Sequence, residues 1–255
     1  HGPGVSGAPA RGLVVAAASS HSGKTVLTLG LAAALRRRGR AVAAAKCGPD
    51  YIDPKFLEAA CGRPAVNLDP WAMRPDRIRA LAAGQAEGAD LVLVEGVMGL
   101  YDGGTAGAGS TASLARMLGL PVVLVVGAEG LAQSAGAVAE GFARLAEGFE
   151  VAGAIVNRVG SDRHATLVRE GFARTAVPLL GLVRRDPALV LPSRHLGLVQ
   201  AGEHAAIGDL VGRAADAVAA GCDLDSIALL AVPLPAEPAA SARPALAPPG
   251  QRVAV

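Results

Sequence analysis

Leu13-Val14-Val15-Ala16-Ala17-Ala18 runs straight into Ser19-Ser20-His21-Ser22-Gly23-Lys24-Thr25, and an Ala/Leu-rich stretch follows from Thr25 to Arg38 and stops at Gly39. The opening run is apolar without interruption and of strand length, which suits a strand buried on both faces. The closing stretch reads as a helix. Between them lies a Gly/Ser turn ending in Gly-Lys-Thr. Backbone N–H groups at a helix start point at whatever precedes it, and the helix dipole favours an anion there. A lysine in that position neutralises β and γ phosphates, and the threonine hydroxyl can ligate Mg²⁺. Ala18 stands where the usual phosphate-loop pattern has its first glycine, so the strand–loop–helix context carries the reading. Ser20, His21, Ser22, Gly23, Lys24, Thr25 and Val26 are therefore the expected ATP-binding residues.

The same alternation continues outward. Ala41–Lys46, Asp90–Glu95, Val122–Val126, Gly153–Asn157 and Leu179–Val183 are further strand candidates. Helices are expected over Pro75–Ala83, Ser110–Leu118, Leu131–Leu145, Arg163–Thr175 and Ile207–Ala220. The stretch holding Gly48-Pro49 and Asp53-Pro54 reads as irregular. Continuous apolar strands alternating with helices give an α/β fold of the P-loop NTPase kind, a mostly parallel sheet with helices on both faces. Residues 1–10 carry neither a basic nor an apolar signal region and read as a tag-like or disordered start. The ATP-binding domain is expected over 11–232. From 233 to 250 Pro and Ala dominate, the composition of a linker. Residues 251–255 then read as the first residues of another strand.

Of the 255 residues, 51% are hydrophobic and 18% charged, so a sizeable core is expected, built from Val, Leu and Ala because aromatics are only 3%. A net charge of +2 without a basic stripe argues against a nucleic-acid partner. No apolar run reaches membrane-spanning length, so no membrane partner is expected. Cys47, Cys61 and Cys222 lack paired metal-ligand spacing, and their odd number suits a reducing cytoplasm.

Two further stretches carry acids where an α/β sheet binds ligands, at the carboxyl ends of strands. Leu91-Val92-Leu93-Val94-Glu95 ends in a carboxylate fit for a metal contact, although a strand-end Glu can also simply be solvated. Seven residues on, Asp102 lies on a glycine-rich loop. Lys46-Cys47-Gly48-Pro49-Asp50-Tyr51-Ile52-Asp53-Pro54 sets two acids three apart. They can converge on metal or substrate, or serve as turn formers, and the residues alone leave both readings open.

Together, Ser22-Gly23-Lys24-Thr25, the Lys46–Pro54 stretch, Val94-Glu95-Gly96-Val97-Met98-Gly99-Leu100-Tyr101-Asp102-Gly103 and Leu191-Pro192-Ser193-Arg194-His195-Leu196-Gly197-Leu198 resemble cobyrinic or hydrogenobyrinic acid a,c-diamide synthases. The likeness runs from about Arg11 to Pro235. Members join a dethiobiotin-synthetase-like ATP domain to a glutamine amidotransferase domain, of which residues 251–255 look like the first residues, and amidate the c and a acetates of a corrin through acyl phosphates, in cobalamin biosynthesis. The resemblance implies ATP and Mg²⁺ held by Lys24, Thr25, Glu95 and Asp50. It places Asp50, Asp53 and Lys46 around the γ-phosphate and substrate carboxylate, Tyr51 and Ile52 on the corrin, and Asp102 near the ammonia. Asn157 falls where related synthetases read adenine, and Arg194 and His195 would face substrate unless they are an ordinary solvated pair. The implied partners are a tetrapyrrole carboxylate, a glutaminase domain and, since members are often dimeric, a second copy of the chain. A nickel-sirohydrochlorin a,c-diamide synthase would share these motifs. A partitioning-type switch ATPase would commonly carry a second lysine early in the loop, where this chain has Ala18-Ser19-Ser20-His21.

Overall fold

Strand β1 (Arg11–Ala17) is buried along its whole length after Arg11, as its unbroken apolar run requires, and it lies inside the sheet. The structure is a computed structural model that describes residues 10–189, 191 and 201–234, with the backbone alone for 201–205. Helix α1 (Lys24–Arg37) follows the phosphate loop, then β2 (Val42–Cys47), α2 (Asp53–Cys61), β3 (Val66–Leu68), α3 (Pro75–Ala86) and β4 (Leu91–Glu95). The second half runs α4 (Thr111–Leu118), β5 (Val122–Gly127), α5 (Ser134–Arg144), β6 (Val151–Val159), α6 (Asp162–Phe172), β7 (Leu179–Arg184), α7 (Ala201–Gly221), α8 (Leu224–Leu230) and β8 (Val232–Pro233).

The sheet order is β3-β2-β4-β1-β5-β6-β7, and every neighbouring pair on that path is parallel. Side chains of a strand alternate between faces, so the core divides in two. Val14 and Ala16 join the α3–α6 layer, while Leu13, Val15 and Ala17 join the layer of α1, α2, α7 and α8. This is the expected architecture of a parallel sheet covered on both faces. Among the described residues, no helix is long and apolar enough to cross a membrane.

Four elements depart from expectation. The stretch read as irregular contains α2, because Pro54 occupies its first turn, where a missing N–H costs nothing. Strand β3 is only three residues long, too short for a periodic signal. Helix α8 starts on Asp223, whose carboxylate accepts from Ser226 N–H. Strand β8 pairs antiparallel with Arg11 and Gly12, while β5 pairs with β1 only from Val14 onward. Pro233 and Leu234, which composition assigns to a linker, therefore lie against β1, with Leu234 in the core.

Candidate active site

All seven parallel strands present their carboxyl ends at one edge, and an open cleft of about 890 Å³ lies there. The phosphate loop forms its floor. Ala18 N–H still donates to Val125 O at 2.9 Å, so the chain leaves the sheet between β1 and β5. The Ser22 hydroxyl then donates back to Ser19 O at 2.8 Å, folding the loop on itself. Across the cleft Asn157, at the end of β6, donates its Nδ2 to Ser22 O at 2.9 Å and is buried. Gly23 has φ +86°, and a Cβ on it would stand 2.2 Å from that Nδ2. Backbone angle and available space both demand glycine there. Asn157 lines the cleft, and its amide nitrogen is engaged with the loop.

Beside the loop lies a buried ionic cluster. Glu95 is fully buried, which removes the reading of a solvated strand end. Its Oε1 accepts from Thr25 Oγ1 at 2.6 Å, Lys46 Nζ at 3.0 Å and Lys24 Nζ at 3.1 Å. Lys46 Nζ also pairs with Asp53 Oδ2 at 2.7 Å and donates to Gly96 O at 3.1 Å. Lys46 at the end of β2 and Lys24 at the end of the phosphate loop thus share one carboxylate. Burial pulls the Lys24 ammonium below its usual pKa despite Glu95. Burial opposes Lys46 too, but Glu95 and Asp53 outweigh it and hold that ammonium above its usual value. The Glu95 carboxyl is resisted by burial, yet Lys46, Lys24 and the Thr25 hydroxyl keep it below the usual range. Asp53 is raised by burial and by the charge on Glu95.

Glu95 Oε2 is buried without a hydrogen-bond partner. A carboxylate oxygen left so is costly and needs a reason. One adjacent to a threonine hydroxyl and a phosphate loop suits a hard divalent cation, which takes one or two protein oxygens and completes its shell with phosphate and water. Among the described residues, no group of three or more His, Cys, Asp or Glu could cage a metal. Asp53 and Glu95 are bridged by Lys46 instead.

The remaining expected residues divide. Asp50 lines the cleft, and its Oδ1 accepts from Ile52 and Asp53 N–H at 2.8 and 3.0 Å. Burial opposes that carboxylate, but these two N–H groups outweigh it and lower its pKa. The reading of this acid as a turn former holds, and its side chain also lines the cleft. Tyr51 projects into solvent, 92% exposed, while Ile52 packs on the α1-side core, and neither lines the cleft. Asp102 is exposed outside the cleft wall, with Oδ2 fixed by Gly99 N–H at 3.0 Å. Arg194 and His195 lie outside the described residues.

The wall opposite was not foreseen. Met98, Glu129, Arg158, Arg184, Arg185 and Asp186 all line it, and each stands at or just after the end of a strand. The strand ends were the available signal. Arg158 is held by Glu129 at 2.6 Å and Arg184 by Asp162. His21, Met98 and Arg158 have positive φ, and all three line this cleft. Non-glycine residues held there cluster at functional sites.

The family profile described as "CobQ/CobB/MinD/ParA nucleotide binding domain" matches residues 13–199. Hydrogenobyrinate a,c-diamide synthase of Rhizobium meliloti (strain 1021) is 51% identical over 244 residues, covering 96% of this chain and 56% of that protein. The protein of the same name from Agrobacterium fabrum is 46% identical over 249 residues, covering 96% and 57%. The chain spans about half the length of the curated relatives it matches. Among solved structures, chloroplast FtsY from Physcomitrella patens superposes with a TM-score of 0.52 at 18% identity, over 72% of this chain and 61% of that one. Signal recognition particle receptor FtsY from Elizabethkingia anophelis gives 0.51 at 15%, over 81% and 66%. At such identity the likeness concerns the fold alone.

Proposed function

We propose a function from one premise: the chain belongs to the CobQ/CobB/MinD/ParA nucleotide-binding domain family. The nucleotide is ATP, and the reaction is amidation of acetate carboxylates on hydrogenobyrinic or cobyrinic acid, as the names of the relatives suggest. The observation that carries this reading is the Lys24–Glu95–Lys46–Asp53 cluster beside the phosphate loop. It supplies two cations within one charge-balanced, buried site.

A carboxylate is a poor electrophile. Its oxygen first attacks the γ-phosphorus, the bond to the ADP oxygen breaks, and an acyl phosphate forms. Ammonia then attacks the acyl carbon, phosphate leaves with its bonding electrons, and the nitrogen loses a proton. Positioning and neutralisation of charge supply most of the catalysis for such a transfer. Lys24 draws the β and γ phosphates to the loop. Lys46, held cationic by Glu95 and Asp53, would bridge the γ-phosphate and the incoming carboxylate. Thr25 and Glu95, the latter with its unspent Oε2, would hold Mg²⁺, aided by Asp50. The ion neutralises phosphate charge when bound.

The nitrogen comes from a glutaminase domain in the full-length protein, and the work is cytoplasmic. The thiols of this chain are unsuited to that step. Burial pushes Cys47 up to about 11 and Cys61 and Cys222 up to about 12, whereas a glutaminase needs an activated thiolate. Incubating the chain with hydrogenobyrinic acid, Mg-ATP and either ammonium at mildly alkaline pH or glutamine, and counting amides by mass spectrometry, tests the reading. Amides from ammonium and none from glutamine are expected. ATP binding without any amide would reduce the chain to a nucleotide-binding module.

A further inference from the structure

Trp71 is the single tryptophan of the chain, and it is 68% exposed. An indole is among the largest apolar groups a chain can bury, so leaving it in water gives up burial and invites a reason. The residue's backbone is anchored. Its backbone N–H donates to the buried Asp69 carboxylate at 2.9 Å, and Asp69 O accepts from Met73 N–H at 2.9 Å, closing the turn. The residue lies along the loop after β4. A Cβ on Gly104 would stand 3.0 Å from Trp71 Cζ3, and one on Gly109 would stand 3.1 Å from Trp71 Cβ. The glycines of that loop let the residue lie flat against it.

Position gives the exposure its meaning. Tyr51, Trp71 and Met98 are three of the exposed large hydrophobic residues among those described. They follow β2, β3 and β4, which are adjacent in the order β3-β2-β4 and parallel. All three therefore stand at the sheet edge that carries Lys46, Asp53 and Glu95. Exposed apolar groups gathered beside a polar site mark a binding surface.

We infer that Trp71 is a substrate-binding residue on which an apolar face of the tetrapyrrole rests, while an acetate at the macrocycle's rim reaches toward Lys46 and Asp53. This rests on the amidation reading and extends it to a residue in none of the four motifs. The ligand chemistry fits: a conjugated macrocycle with two broad apolar faces and carboxylates around its edge needs an aromatic platform at one place and cations at another.

Trp71 is its own reporter. Titrating the chain with hydrogenobyrinic acid should quench its emission saturably, and ATP alone should leave that emission unchanged. Because a coloured ligand can quench from a distance, affinity is read separately from the ligand's absorbance. Trp71→Ala should weaken tetrapyrrole binding roughly tenfold with ATP affinity unchanged, and Trp71→Phe should recover most of the loss. With the ring so exposed, both variants should keep the far-UV circular dichroism of the parent. Equal tetrapyrrole affinity in parent and Trp71→Ala overturns the platform and leaves the amidation reading standing. No tetrapyrrole binding to the parent overturns both. Emission that shifts with protein concentration, and not with tetrapyrrole, would assign the patch to a second copy of the chain and overturn the inference.

Discussion

Replacing Glu95 by glutamine keeps the shape of the side chain and removes the one charge that both lysines share. At about 3 Å and an effective dielectric near 20, each lysine gains roughly 5 kcal/mol of gross Coulomb attraction from Glu95. Most of that gross figure offsets the cost of burying the three charges. What shows on removing one partner of a buried pair is about 3–5 kcal/mol. The glutamine carbonyl can still accept from Thr25, and Lys24, already lowered by burial, can shed its proton. The lower end, about 3 kcal/mol, is therefore expected for Glu95→Gln without nucleotide. In a domain of this size that lowers the unfolding temperature by roughly 6–12 °C. Adding ATP in the presence of EDTA should close much of the gap, because its phosphates return negative charge to Lys24 and Lys46. Nucleotide affinity without metal should then equal or exceed that of the parent. Dependence on Mg²⁺ should weaken, since a neutral amide is a poor ligand for a hard cation. Thermal unfolding of both proteins with and without ATP, followed by a Mg²⁺ titration of turnover, measures all of this. Equal unfolding temperatures without nucleotide would refute the claim that Glu95 holds the two lysines together. A gap unaltered by ATP would refute the claim that phosphate takes its place.

Lys24→Ala should lower ATP-dependent turnover by about 10²–10³-fold while far-UV circular dichroism stays unchanged; turnover at the parent rate in saturating Mg-ATP would remove the phosphate-loop assignment. Gly23→Ala should cost about 2–3 kcal/mol, from about 1–2 for a left-handed alanine and about 1 for the displaced Asn157–Ser22 bond. Adding Asn157→Ala relieves the clash, so the double variant should lose less than the sum in urea unfolding; strict additivity would mean that the two side chains do not meet. The carboxyls of Glu95 and Asp50 are lowered in the fold, so their stabilisation is full above the ordinary carboxylate pKa and is lost as pH falls through the lowered values, below about pH 4. Asp53 is raised and acts oppositely: its contribution is full below the ordinary value and fades as pH rises through the raised one. Glu95→Gln should therefore flatten the acid limb of urea midpoints measured from pH 3 to 7, and an acid limb as steep as the parent's would contradict the lowered pKa.

The half of the site that the sequence made legible is the half made of strand ends next to a local motif. Lys24 and Thr25 follow β1 and a glycine, Lys46 and Glu95 sit within the carboxyl ends of continuous apolar runs, and the parallel register sets Lys46 directly beside Glu95. The continuous apolar runs put Glu95 at a strand end, and the motif resemblance brought Lys46 to the same site. Helix α2 escaped because its opening carries turn chemistry. Asp50 folds its carboxylate onto Ile52 and Asp53 N–H, and Pro54 stands in the first helical turn, so a turn signal and a helix start are the same residues. Strands β3 and β8 are shorter than any pattern that could announce them.

What the sequence withheld are contacts between distant segments. The Asn157–Ser22 bond joins residues 135 apart, and it turns a residue expected to read a base into one that also shapes the loop under the phosphates. The two uses are compatible only if the loop already has its binding form before nucleotide arrives. Ser22 bonding to Ser19 and Gly23 held at φ +86° both point that way. A preformed loop spends little ordering entropy on binding, leaving charge as what the nucleotide must rearrange. That charge is already assembled as Lys24 and Lys46 on one oxygen of Glu95, with the other oxygen unspent. On the proposed reading, phosphate arrival would exchange one anionic partner of the lysines for another and leave Glu95 to face a cation.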